Sequence, residues 1–276
     1  MKIRKLMFVL PNLFTVSSIF CGFYAMTLCS GEASATRLYQ ASLSIFFAIF
    51  FDGFDGRVAR LTKTQSDFGV ELDSLADVCS FGVAPALLVY RWALEPLGFW
   101  GLFAAFAFAA CGALRLARFN VLAHRNHAGG SRYFVGLPIP LAAGMIISLV
   151  IAHHLVHGDA PMEAHGAIAA VVLALALLMV SSVRYRTFKD ARPSKRSALV
   201  FMGVCLLGVA VAVQLQPAYV LVAYFSAYLV MGLVESAITF PGRRHQARAT
   251  ASASGDDLDD DDDDDGDDGV DDEEFI

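Results

Sequence analysis

Asp52-Gly53-Phe54-Asp55-Gly56-Arg57-Val58-Ala59-Arg60, followed after eight residues by Gly69-Val70-Glu71-Leu72-Asp73-Ser74-Leu75-Ala76-Asp77, is the polar island of an otherwise apolar chain. Of the 27 Asp and Glu residues, 15 lie from Asp256 onward, and six of the remaining 12 fall between Asp52 and Asp77. A charged side chain at membrane depth costs about 2.5–3.5 kcal/mol on insertion scales. A cluster of six therefore needs compensating partners or a function, and the chemistry is sought there.

The surroundings of this island set the fold class. The chain has 276 residues, of which 56% are hydrophobic, and a mean hydropathy of +0.54. These values exclude an ordinary soluble domain and indicate a polytopic membrane protein. Apolar stretches at 7–29, 38–58, 68–90, 97–121, 137–157, 165–183, 198–215 and 218–239 approach the roughly 20 residues that cross a bilayer. The expected architecture is an all-α bundle of about eight transmembrane helices over residues 1–242, with a disordered acidic tail over 243–276. The N-terminal Lys2-Ile3-Arg4-Lys5 superficially imitates a secretory signal. Its apolar run extends to Cys29, longer than the roughly 7–15 residues of a signal core, and Pro11-Asn12 interrupts it, so a retained first helix is expected.

Basic residues collect in cytoplasmic loops. With eight helices both termini share a side, and that side takes 19 of the 21 Lys and Arg, leaving only Arg37 and Arg91 opposite. Helix count and orientation thus support each other, and the motif faces the cytoplasm. The formal charge of −6 is set by the tail: without its 15 acids the rest of the chain carries +9. A basic cytoplasmic face suits anionic membrane lipids, and no nucleic acid partner is expected.

Helical spacing sharpens the motif. Asp52, Asp55 and Ala59 share one face of the second helix, and Gly69, Asp73 and Asp77 one face of the third. The link between the helices is short, so the two cytoplasmic ends are neighbours. If the faces meet, four carboxylates converge, with Gly56, Ala59 and Gly69 leaving room beside the backbone for a bulky ligand. Four such carboxylates cannot all stay ionised without cations. Hard divalent ions with oxygen ligands are the natural solution, and Mg2+ keeps positions open for phosphate oxygens. Two such ions could hold a pyrophosphate during an in-line displacement. A proton or divalent-cation pathway is the other reading of intramembrane acids, although the outer half offers no matching set.

Asn12 and Thr15 share a face near the cytoplasmic end of the first helix, where they serve either a helix–helix hydrogen bond or a ligand. Arg115 and Arg118 share a face at the end of the fourth, suited to a phosphate or carboxylate, or to headgroup snorkelling. His153, His154, His157 and His165 with Asp159 and Glu163 resemble a metal site only loosely and read as loop and interfacial residues. The five cysteines show no C-x-x-C pairing and read as small packing residues.

Asp52-x-x-Asp55-Gly56-x-x-Ala59-Arg60, eight residues, then Gly69-x-x-x-Asp73-x-x-x-Asp77 resembles the signature of the CDP-alcohol phosphatidyltransferases in every specified position. These membrane enzymes move a phosphatidyl group from a CDP-linked lipid to an alcohol and release CMP. Leu10–Thr15, Ser80–Pro85, Ala113–Asn120 and Gly136–Pro140 further resemble the phosphatidylserine synthase branch, so the likeness covers about half the chain. The resemblance implies CDP-diacylglycerol and L-serine as substrates, with glycerol 3-phosphate as an alternative acceptor. It implies two Mg2+ or Mn2+ ions on Asp52, Asp55, Asp73 and Asp77, and Asp77 as general base. It also implies nucleotide or CDP-lipid contacts at Asn12, Thr15, Asp52, Gly56, Ala59, Arg60 and Gly69, and acceptor contacts at Arg115 and Arg118. A homodimer in the inner membrane, with both termini and the active site cytoplasmic, completes the expectation.

Overall fold

A computed structural model describes residues 2–31, 34–62, 64, 66–125, 133–181, 184–186, 219–227 and 229–230. Helix α1 spans Lys2–Ser30 and α2 spans Ala35–Thr62. The short connection between them makes an antiparallel pair, the most extensive helix contact among the described residues. Helix α3 runs over Asp67–Leu97, α4 over Phe99–Arg125, α5 over Ile139–His157 and α6 over His165–Val180. Residues 219–227 and 229–230 are helical again. Six of the expected helices are therefore present. The expected seventh at 198–215, most of the eighth, Cys205, Glu235 and the acidic tail lie outside the described residues.

Pro11–Ser30, Asp67–Leu97, Phe99–Leu122 and Ile139–His157 are long and apolar enough to cross a bilayer. Helix α2 has the length, 28 residues, but the motif fills its second half with charge. Helix α6 is apolar but has only 16 residues. One departure from an all-helical reading is a two-stranded ribbon. Strand β1, Tyr133–Val135, pairs antiparallel with β2, Arg184–Arg186, in the register Phe134↔Tyr185. It joins segments that follow α4 and α6, outside the apolar stretches, where backbone groups need partners of their own.

Helices in lipid gain no hydrophobic driving force from meeting one another, so close approach and interhelical hydrogen bonds decide their packing. Three serines do this work around α1. Ser18 Oγ donates to the Ala48 carbonyl at 3.3 Å, Ser44 Oγ to that of Cys21 at 2.7 Å, and Ser80 Oγ to that of Ser18 at 2.9 Å. At Gly22 a Cβ would fall 2.7 Å from Ser80 Cα, so glycine is what lets α3 touch α1.

Helix α3 is the central rod, and it is not uniformly α-helical. Its α segments, Asp67–Asp77 and Ala84–Val89, are each followed by a π-helical stretch, Val78–Val83 and Tyr90–Leu94. Each π stretch precedes a proline, Pro85 or Pro96. A proline lacks the N–H of the α ladder and its ring collides with the carbonyl four residues back, and a wider turn relieves both. The first π stretch buries Ser80, Phe81 and Gly82 against α1, α4 and α5. Phe81, Phe108, Ile45, Leu88 and Ile146 form the core at this level. Large apolar side chains such as Phe23, Phe47, Trp100 and Phe106 stay exposed, as a lipid-facing surface requires.

Candidate metal centre and active-site cleft

The end of the bundle formed by the N-terminal half of α1, the C-terminal end of α2 and the start of α3 carries the motif. Helix α3 begins there because Ser66 caps it: its Oγ accepts the Gly69 N–H at 3.1 Å, and Asp67 places negative charge in the first turn. The short link places α3 beside α2, and the two acidic faces meet. Carboxylate oxygens of Asp52, Asp55 and Asp73 all lie within 4.8 Å of one another. Asp77, one turn beyond Asp73, comes within hydrogen-bonding reach of Asp52.

Asp55 is the most enclosed of the three, 6% exposed, and it is held from α1: Thr15 Oγ1 donates to Asp55 Oδ2 at 2.8 Å. Thr15 is itself buried, and its Oγ1 lies 3.3 Å from the Pro11 carbonyl, a longer alternative acceptor for the same proton. Of the two readings left open for Thr15, the structure shows the interhelical bond. Asp73 Oδ1 and Asp77 Oδ1 are buried and have no hydrogen-bond partner among the described residues. Buried carboxylate oxygens without partners are costly. An all-oxygen donor set with orphaned oxygens fits a hard divalent cation, so the acidic triad can hold a divalent metal ion.

Beside the carboxylates opens a cleft of about 450 Å3, lined among others by Asn12, Thr15, Gly56, Arg60, Gly69 and Asp73. A Cβ at Gly56 would meet only Arg60 Nη1, at 3.5 Å, so protein packing does not demand glycine there. At Gly69 a Cβ would sit 3.2 Å from Ser66 Oγ and 3.6 Å from Asn12 Oδ1, narrowing the cleft itself. Arg60, exposed, lies within electrostatic reach of Asp55. Ala59 lies on α2, its side chain outside what is described.

The two arginines of α4 part company. Arg115 is 8% exposed and within electrostatic reach of Asp77. Arg118 is exposed, and its Nη1 donates to the Val180 carbonyl at the end of α6, at a long 3.5 Å. Periodicity placed them on one face, but three residues span less than a full turn, and the two differ in burial. Thr64, Ser66 and Asp67, which in the sequence read only as the polar link between the two helices, also line the cleft. A serine directly before an acidic first turn is a helix-start signal and marked Ser66. Asn120 Nδ2, which donates to Ser74 Oγ at 2.9 Å and ties α4 to the motif helix, had no such signal.

The family model for CDP-alcohol phosphatidyltransferase matches residues 8–183, which contain every element of this site. The chain belongs to the CDP-alcohol phosphatidyltransferase family. Together with its apolar helices, that membership makes it an integral membrane protein. Among curated proteins it is similar to the CDP-diacylglycerol–serine O-phosphatidyltransferase of Helicobacter pylori strain J99. The two are 36% identical over 232 residues, 83% of this chain and 91% of the relative. A Bacillus subtilis protein of the same name is 33% identical over 180 residues, 65% of this chain and 91% of the relative. The archaetidylserine synthase of Methanothermobacter thermautotrophicus is 36% identical over 178 residues, 64% of this chain and 69% of the relative.

Proposed function

We propose that this protein transfers the phosphatidyl group of CDP-diacylglycerol to the hydroxyl of L-serine, giving phosphatidylserine and CMP. The observation that carries the reading is the convergence of Asp52, Asp55 and Asp73 within 4.8 Å beside an open cleft, in a chain whose relatives are named for this reaction. Asp52, Asp55, Asp73 and Asp77 would hold two ions, Mg2+ or Mn2+. When bound, such ions neutralise charge on the diphosphate and on the departing bridging oxygen.

The chain's own groups do the rest. Asn12, Gly56, Arg60 and Gly69 shape the cleft for the cytidine nucleotide, with Thr15, Asp52 and Ala59 alongside. Asp77, with one oxygen unpartnered, takes the proton of the serine hydroxyl. The serine oxygen then bonds to the phosphatidyl phosphorus, and the bond from that phosphorus to the bridging oxygen breaks and releases CMP. Arg115, the guanidinium beside Asp77, holds the serine carboxylate in a forked contact that lysine cannot reproduce. Arg118 is its neighbour on the same helix and a second donor for that carboxylate. The cleft faces the cytoplasm of an inner-membrane protein, and the chain pairs as a homodimer through its later helices.

The test is CMP release by purified protein given CDP-diacylglycerol, Mn2+ or Mg2+, and single acceptors in turn. Release with L-serine and not with glycerol 3-phosphate is expected. Release with glycerol 3-phosphate alone reassigns the acceptor. Arg115→Lys should raise the KM for serine about tenfold and leave that for the lipid nearly unchanged, from the loss of one charge-assisted contact. Arg118→Lys measures whether the second guanidinium shares the load.

A further inference from the structure

At the other end of the bundle, the last turns of α3 and α5 and the first turns of α2 and α6 enclose a second cleft of about 400 Å3. Arg91 follows Asp77 by 14 residues on the same rod, so this cleft lies about 20 Å from the carboxylates, at the opposite membrane interface. Leu38, Val150 and Met162 supply apolar walls, and Trp92 lines it as well, a residue type that settles at such interfaces.

Polar groups of both signs stand against those walls. Arg91 Nη1 donates to both Glu95 oxygens, at 2.8 and 2.9 Å, and Nη2 donates to the Gly31 carbonyl at 3.1 Å. Its Nε remains buried and has no partner among the described residues. His154 stacks on Tyr39 with ring centroids 4.6 Å apart, and its Nδ1 is likewise buried and unpartnered. His165 is held by the Ala93 carbonyl at 2.7 Å, and exposed Asp159 lines the same cleft. Native structures leave few buried polar atoms unsatisfied, and the two residues that carry them here both line this one cleft.

Charge decides the ligand class. The cleft sets the Arg91 guanidinium against the carboxylates of Glu95 and Asp159, so a simple anion is repelled, while a simple cation leaves Arg91 Nε without an acceptor. Nor do the histidines form a metal site: among the described residues, the group of three convergent ligands is the aspartate triad. A phosphate joined to an ammonium and anchored by apolar chains meets every requirement.

We propose that this cleft binds the headgroup of a zwitterionic aminophospholipid from the leaflet opposite the catalytic cleft. Its phosphate accepts from Arg91 Nε, and its ammonium faces His154 Nδ1, Glu95 and Asp159. The assignment does not depend on which alcohol the catalytic site uses.

Native mass spectrometry of the full chain in detergent, loaded from vesicles of phosphatidylethanolamine, phosphatidylcholine or phosphatidylglycerol at equal concentration, tests it. One phosphatidylethanolamine per chain should be retained. Phosphatidylcholine, whose ammonium has no N–H to donate, should be retained at least tenfold less. His154→Phe keeps the stack on Tyr39 and removes the nitrogen; Asp159→Asn removes a charge from an exposed position. Each should lower phosphatidylethanolamine retention about tenfold, whereas Asp55→Asn, in the catalytic cleft, should not. Equal retention of the three lipids, or unchanged retention in both variants, overturns the proposal. Thermal protection by phosphoethanolamine alone, as strong as by the lipid, would overturn the lipid source and leave a soluble phosphate ester.

Discussion

Each motif residue owes its role to the neighbour it was brought against. Asp77 is next to Asp52 and Arg115, and one of its buried oxygens has no hydrogen-bond partner among the described residues, which supports the proposed role as proton acceptor. Asp77→Asn preserves shape and removes that capacity. It should lower kcat by at least 100-fold, within the range of general-base catalysis, while CDP binding measured by calorimetry is partly retained. Near-normal turnover would remove Asp77 from the role. Thr15 acts one step further out, through its 2.8 Å bond to Asp55. Partners that orient a metal-binding group are typically worth 10–100-fold in metal affinity or activity. Thr15→Val should therefore raise the Mn2+ concentration for half-maximal activity about tenfold, and Thr15→Ser should restore it. If valine lowers kcat at saturating Mn2+ without moving the metal dependence, Thr15 serves the substrate instead.

Between helices, the decisive feature is how closely α3 approaches α1. At the crossing Gly22 faces Ser80, and the Ser80 hydroxyl reaches the Ser18 carbonyl. A Cβ at Gly22 would press on the Cα of Ser80, backbone that cannot swing away, as well as on the Ser80 side chain. Gly22→Val should cost about 1–3 kcal/mol, as overpacking does, and should lower the unfolding midpoint followed by size-exclusion chromatography after heating. The same shift moves Asp73 and Asp77 relative to Asp52 and Asp55, so activity should fall before the protein unfolds. A variant as stable and active as the parent would show that the crossing has slack. The π stretches of α3 are also decided at this scale, since prolines in a packed transmembrane rod demand wider turns before them.

For the whole molecule the relevant quantity is charge. Ending the chain after Gly255 removes 15 acids and turns a formal charge of −6 into +9. The tail carries no apolar pattern and shares no residue with the matched family region, which ends at 183. Turnover of the shortened chain in detergent micelles should stay within about twofold of the parent, since the tail supplies nothing to the matched region that holds the site. A several-fold gain at low salt, lost at 0.5 M NaCl, would mean instead that the tail competes for the basic face.

Membrane class, the first six helices and the acidic cluster were all legible in the residues, because each rests on a local rule. Apolar length marks a span, and i, i+3 and i, i+4 spacing puts Asp52 with Asp55 and Asp73 with Asp77 whatever the rest of the chain does. The short link after Arg60 even implied that the two pairs would meet. What each side chain touches was not local. Thr15 reaches across 40 residues to Asp55, and Arg115 turns inward while Arg118, one step along the same helix, reaches the end of α6. The histidines of the far end read as unremarkable interfacial residues until packing buried one nitrogen of His154 beside Arg91. Periodicity assigns a residue to a face of its own helix. Which other helix covers that face, and which polar atoms are then left without partners, depends on contacts between residues far apart in the chain.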